Sequence, residues 1–281
     1  MDENAFTLMP MSQTMSLKAG NTYDGYVTIA NPMEATSNFD YVANVAPYSV
    51  VGEEYLADLA TRSDANMLAD WITIENPTGT IEPNGTVKVH YTIKVPKDAP
   101  AGGQYAAITV YSNPGSREDG GVAINNIIEM ASVIYGQVQG EIVHDGEVLS
   151  NNIPGFITSL PLVTDITFVN KSNVHEVATI KIEVKNALTG ETVFPKDDES
   201  NLFSELTMPN TTRLLTREIS QLSDLGVYQV SQSVTYLGEN YDNTQTVFVC
   251  PLWFMGLVAL TIVAFVLTIV KMVKRHRHHK I

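Results

Sequence analysis

The chain has 281 residues, 44% of them hydrophobic, with 17 Lys and Arg, 31 Asp and Glu and a single cysteine. That length accommodates two ordinary domains with buried cores. Five of the cations lie after position 270, where no acid occurs, so residues 1–250 carry twelve cations against thirty-one acids, a balance of −19. A body so acidic repels nucleic acid and anionic headgroups, and one cysteine rules out a disulfide-stapled scaffold or a cysteine metal site in residues 1–249.

The chain starts "MDENAF", with neither a basic n-region nor an apolar h-region. An exported body then implies a leader removed or lying upstream of this start; the alternative is a tail-anchored protein facing the cytosol.

Period-two alternation dominates residues 1–250. "DGYVTIAN" (24–31) reads as a strand closing on Asn31. Residues 54–71, "EYLADLATRSDANMLADW", break the rhythm: Leu56, Leu59, Ala60, Met67, Leu68 and Trp71 recur at helical spacing. They predict one or two short helices inserted between strands. Turn clusters follow at 76–79 ("NPTG") and 82–85 ("EPNG"). In "TVKVHYTIKVP", Val87, Val89, Tyr91, Ile93 and Val95 share one face, and Lys88, His90, Thr92 and Lys94 the other. Pro96 and Pro100 bracket the end of that strand, since proline cannot donate to a ladder. Gly102 and Gly103 permit a tight reversal into the next strand, entered as Gly-x-Tyr at 103–105. Another turn cluster, "NPGS", lies at 113–116.

The segment "GQVQGEIVHDGEVLS" (136–150), with its glycines and acids, marks a boundary. We place domain 1 at 1–138 and domain 2 at 139–249. Domain 2 repeats the theme. "DITFVN" (165–170) matches the 24–31 strand down to its terminal Asn170, and Gly226 to Tyr228 repeats the Gly-x-Tyr entry. In "TIKIEVK", Ile180, Ile182 and Val184 alternate with Lys181, Glu183 and Lys185. In "YQVSQSVTY", Tyr228, Val230, Val234 and Tyr236 oppose Gln229, Ser231, Ser233 and Thr235. Turns fall at 188–191 and 237–240. The fold class expected is all-β: two tandem immunoglobulin-like β-sandwiches plus one C-terminal transmembrane α-helix.

Residues Pro251 to Val270 contain no charge. Twenty residues at about 1.5 Å each span about 30 Å, the hydrocarbon thickness of a bilayer. Pro251 suits the first turn of a helix, and Trp253 and Phe254 sit where amphipathic rings favour headgroups. The competing reading is a buried core helix. After it come Lys271, Lys274, Arg275, Arg277 and Lys280. Cations flanking a membrane helix are retained on the cytoplasmic side, so 271–281 reads as a cytoplasmic tail and the body projects outward. No LPxTG-type sorting site precedes the run, in keeping with a helix that stays in the membrane and contacts its lipid.

The stretch "ADWITIENPTGTIEPNGTVKVHYTIKVPKDAPAGGQYAAITV" (69–110) resembles the first domain of the WxL-interacting proteins of Gram-positive bacteria. That family combines a Trp-led strand, a Pro/Gly turn, a long strand ending Val-Pro and an "A-P-x-G-x-Y" entry. The resemblance implies a first sandwich for peptidoglycan, a second for a protein partner, one C-terminal membrane helix and a basic tail.

No catalytic constellation stands out. His90, His144 and His175 are far apart; His90 falls on a wet strand face, and His175 reads as a solvated loop residue. "DDES" (197–200) lacks the spacing of a calcium loop and reads as a charged hairpin tip. Asn84, Asn170 and Asn210 begin Asn-x-Ser/Thr triplets, silent in a bacterial setting. The expected function is therefore that of a non-catalytic, cofactor-free surface protein, single-pass in the cell membrane, binding cell-wall polymer (peptidoglycan) or surface protein partners and no nucleic acid. The alternatives are a tail-anchored cytosolic adaptor and an envelope hydrolase.

Overall fold

The computed structural model describes residues 6–51, 54–57, 60, 62–112, 128–196 and 200–278, with side chains through 272. The chain divides into two compact units. One comprises residues 1–147 with the segments 169–176 and 206–213; the other comprises 148–168, 177–205 and 214–281.

The first sandwich is built from β1 (Thr7–Met9), β2 (Ser12–Leu17), β3 (Thr22–Ala30), β4 (Phe39–Val51), β5 (Glu54–Ala57), α1 (Leu68–Trp71), β6 (Ile72–Ile74), β7 (Thr78–Ile81), β8 (Thr86–Lys94), β9 (Gly102–Ser112) and β10 (Glu129–Val138). One sheet runs β1-β3-β8-β6, the other β2-β10-β9-β4-β5, with β7 also on β4. Alternation explains the assignment. In β8, Val89, Tyr91 and Ile93 are buried while Lys88, His90 and Lys94 are exposed. Those buried residues meet Ile108 and Val110 of β9 and Ile134 of β10 in one core, so the two sheets pack face to face.

The second sandwich uses β11 (Gly146–Asn152), β12 (Phe156–Ile157), β13 (Leu162–Asn170), β14 (Glu176–Asn186), β15 (Thr192–Phe194), β16 (Leu202–Thr207), β17 (Thr211–Ile219), β18 (Gly226–Tyr236) and β19 (Glu239–Val249). Its sheets are β11-β13-β17 and β12-β19-β18-β14-β15, with β16 also on β14. This is the topology of the first sandwich again, without a counterpart of β6. In both, the N-terminal stretch gives one strand to each sheet, and the second of these pairs in parallel with the last strand: β2 with β10 and β12 with β19. Phe168 of β13, Ile182 of β14, Leu215 of β17 and Val230 of β18 meet in its core. The chain is thus mostly β, in two tandem immunoglobulin-like sandwiches, followed by α2 (Leu252–His278).

The structure refines the reading of 54–71. Residues 54–57 form strand β5, paired with the end of β4 through Val51↔Glu54 to Tyr48↔Ala57. Among the described residues of this stretch, α-helix is confined to α1, whose Leu68, Ala69 and Trp71 join the first core, and Ala60 lies in a 3-10 turn. Leu59 falls outside the described residues. The apparent helical period spans separate elements that bury apolar residues independently. Turn chemistry follows composition. Asn76, Asn84 and Asn210 hold left-handed φ values of 50°, 61° and 55°, so two of the Asn-x-Ser/Thr asparagines are turn residues. Leu237 and Gly238 (φ 50° and 82°) make the two-residue loop of the β18–β19 hairpin. The "NPGS" turn and the DDE of "DDES" lie outside the described residues.

Candidate functional site

Helix α2 follows β19 after only Cys250 and Pro251. The Pro251 carbonyl accepts from the N–H groups of Phe254 and Met255, so this proline opens the helix and gives up no donor needed there. From Leu252 to Met272 the helix is long and apolar enough to cross a membrane, with mean hydropathy 2.5, and none of that window is buried against the protein. It is therefore no core helix. Trp253, 65% exposed, meets Phe254 edge-on at 5.7 Å within the first turn. Val270 and Lys271 are exposed in the last turns. Lys274, Arg275 and Arg277 continue the same helix, and Lys280 lies outside the described residues.

A second constellation lies within the first unit. Strand β9 is buried on both faces, unlike the alternating strands around it. Ala106, Ile108 and Val110 enter the main core; Tyr105 and Ala107 point to the opposite face and meet Tyr48, Val50 and Met208. Here the aromatic rings form a chain. Tyr48 meets Tyr135, and Tyr135 meets Tyr105, edge-on at 5.9 Å in each case; His175 lies 5.6 Å from Tyr105 and 5.4 Å from Tyr135. Edge-to-face packing at these separations is favourable beyond the area it buries.

Hydrogen bonds fix the histidine. The backbone N–H of His175 donates to Tyr105 Oη at 2.8 Å, and Oη lies 3.0 Å from Nδ1 of the same residue. With one phenolic proton, Tyr105 both accepts from the backbone and donates to a neutral ring. Burial holds the His175 imidazole below its ordinary value, against the opposing pull of the Glu176 carboxylate, and burial pushes the Tyr105 hydroxyl up. His175 is therefore a half-buried, partnered residue in its loop, where the sequence suggests a solvated one. His144 comes near it: its Nδ1 is 2.6 Å from Glu176 Oε1, and both histidines line a cleft of about 160 Å³ with Tyr105 and Tyr135. His90 is exposed on β8, as its face implies, over the ring of Tyr26.

The glycines before Tyr105 have a use beyond reversal. A Cβ on Gly102, which sits at φ 117°, would lie 2.3 Å from the Asn173 carbonyl oxygen, and Gly103 N–H donates to that same oxygen at 2.7 Å. Only glycine admits so close a backbone approach. In the second sandwich, Tyr228 does the simpler version of this job, its hydroxyl accepting from Ser223 N–H five residues upstream. The sign of the pH effect at His175 follows. A depressed folded pKa leaves its stabilisation intact above the ordinary value near 6.5; stability is lost as pH falls through that value and the folded one, because unfolding then releases a proton acceptor. Melting midpoints between pH 7.5 and 5 should fall less steeply in His175→Gln than in the parent.

No protein-family model matches the chain, and no curated protein matches it. Solved structures do. The chain is similar to the class 5 fimbriae chaperone CfaA, with 10% identity, 86% of this chain and 99% of that one covered, and a TM-score of 0.39. It is similar to a chain of the CsuC–CsuE chaperone–tip adhesion subunit complex of Acinetobacter baumannii, with 12% identity, 86% and 98% coverage and a TM-score of 0.42. It is also similar to a chain of the Salmonella enterica SafA pilin–SafB chaperone complex, with 10% identity, 87% and 96% coverage and a TM-score of 0.42. At these identities and scores the likeness carries no conclusion about partner or activity.

Proposed function

We propose that the chain is a membrane-anchored, non-catalytic surface protein, related to the WxL-interacting proteins, whose two sandwiches hold cell-wall polymer or partner proteins at the envelope. The observation that carries this reading is α2: a 21-residue apolar stretch with none of its apolar window buried against the described residues. Water is a poor solvent for such a surface, whereas a bilayer matches it in length and chemistry. Pro251, Trp253, Phe254 and Val270 bound the span, and the five cations from Lys271 to Lys280 hold its far end in the cytoplasm. The acidic body stays clear of anionic lipid on the other side. Residues 1–138 take the polymer, peptidoglycan in the first instance, and residues 139–249 take the protein partner. Tethering both modules to one surface lets weak contacts act together.

Protease added to intact cells should digest the body and spare the tail. Isolated peptidoglycan and secreted surface proteins, each immobilised, should retain the purified chain. Protection of the body in intact cells would leave the tail-anchored adaptor in its place, and retention by neither matrix would remove the binding role.

A further inference from the structure

The two sandwiches share most of their topology but differ at the edge formed by their last strand. In the first, β2 covers β10 from Val133 to Val138, six positions. In the second, β12 is two residues long and covers β19 only at Phe248 and Val249. Among the described residues, the rest of β19 is paired on one side alone, with β18, in unbroken register from Tyr236↔Glu239 to Gly226↔Val249.

Hairpin geometry says which residues look outward. In an antiparallel pair closed by a two-residue loop, the first flanking pair exchanges both hydrogen bonds and the next does not, alternating along the ladder. Glu239, Tyr241, Asn243 and Gln245 thus bond to β18, and Asn240, Asp242, Thr244 and Thr246 turn their N–H and C=O groups to the outer edge. Phe248, of the same parity, confirms it: its N–H donates to Gly155 O at 3.0 Å, on the β12 side. From Asn240 to Thr246 the open edge runs about 20 Å at about 3.4 Å per residue.

Such an edge is ordinarily guarded by lysine, proline or a bulge. Residues 239–249 contain no Lys, Arg or Pro and no register shift. Their charges are Glu239 and Asp242, both exposed, and the paired strand β18 carries none. The edge is long, regular, unguarded and anionic.

We propose that the outer edge of β19, from Asn240 to Thr246, docks an extended cationic segment of a partner protein, which adds to the sheet as a further strand. Backbone groups supply the pairing, and Glu239 and Asp242 select Lys or Arg on the incoming segment. A second copy of this chain does not fit. Symmetric antiparallel pairing of two β19 edges would run the strands in opposite directions and send the closely following α2 helices opposite ways, so both could not enter one bilayer. This deepens the partner-binding part of the proposed function and rests on it.

The test uses the full chain in a neutral detergent and two fluorescein-labelled twelve-residue peptides, one alternating Lys with Val, the other Glu with Val. The Lys peptide should bind at least tenfold more tightly. Thr244→Pro removes an outward N–H that the native ladder does not use, so the melting midpoint should hold while Lys-peptide affinity falls at least tenfold. Thr244→Lys gives the same readout by repulsion should the proline variant fail to fold, and Asp242→Asn should narrow the gap between the peptides. Equal binding of the two peptides, or parental affinity in a folded Thr244 variant, overturns the proposal. Vesicle flotation of the parent chain reports the anchor separately, so a parent that floats yet binds the two peptides equally sinks the docking edge alone.

Discussion

Two arginines in the middle of α2 should release the protein from liposomes, where one should not. Between Leu252 and Val270 the helix carries twelve Leu, Ile, Phe and Val residues. At about 0.3–0.6 kcal/mol each, they favour insertion by about 4–7 kcal/mol. A central arginine costs about 3 kcal/mol and forfeits the residue it replaces. Leu260→Arg therefore leaves a net preference for the bilayer, and Leu260→Arg with Val263→Arg, at about 7 kcal/mol together, brings it to zero or below. In a density gradient with neutral vesicles, the parent and the single variant should float and the double variant should stay with the soluble fraction. Because both side chains are exposed and no part of the span is buried against the body, the melting midpoint of the sandwiches should be unchanged in every case. Flotation of the double variant would mean that something other than the helix attaches the protein. Co-loss of the body's fold would mean that α2 packs on it after all.

The parts of this molecule written locally in the sequence are those with one wet and one dry face. Val89, Tyr91 and Ile93 on β8, and Ile180, Ile182 and Val184 on β14, are buried as their alternation demands. The uncharged run after Pro251 is equally plain, since nothing but length and composition defines a span. What failed locally is what depends on distant chain. Leu56 sits among helix-spaced neighbours, yet it lies opposite Ser49 in a strand because β4 offers an edge there. His175 looks like a solvated loop residue until Tyr105, seventy positions earlier, takes both its backbone N–H and its ring. One trace of this was visible: "GQYAAITVY" is apolar on both faces, a pattern of strands covered on two sides. The open edge of β19 has no counterpart in its own residues. It exists because β12 stops after two residues, more than eighty positions earlier.

The repeated strand-final asparagine makes the sharpest claim about stability. Asn31 and Asn170 are both buried at the ends of matched strands. Asn31 Nδ2 donates to the carbonyls of Ser37 and Ile81 at 3.1 and 3.0 Å. Asn170 Nδ2 donates to Val174 O and Thr207 O, both at 2.9 Å, and its Oδ1 accepts from Ser172 N–H at 2.7 Å. Each side chain thus closes two loops with one amide, and truncation strands buried backbone groups at about 1–3 kcal/mol apiece before relaxation. Asn170→Ala, which orphans three groups, should destabilise by about 3 kcal/mol, and Asn31→Ala, which orphans two, by about 2 kcal/mol, read from urea unfolding midpoints at constant slope. Asn170→Asp is the discriminating variant. It keeps the acceptor for Ser172 but turns a buried carboxylate toward two carbonyl oxygens, so it should be no better than alanine. A stable Asn170→Asp protein would show that shape, rather than the two donated hydrogen bonds, holds this corner closed.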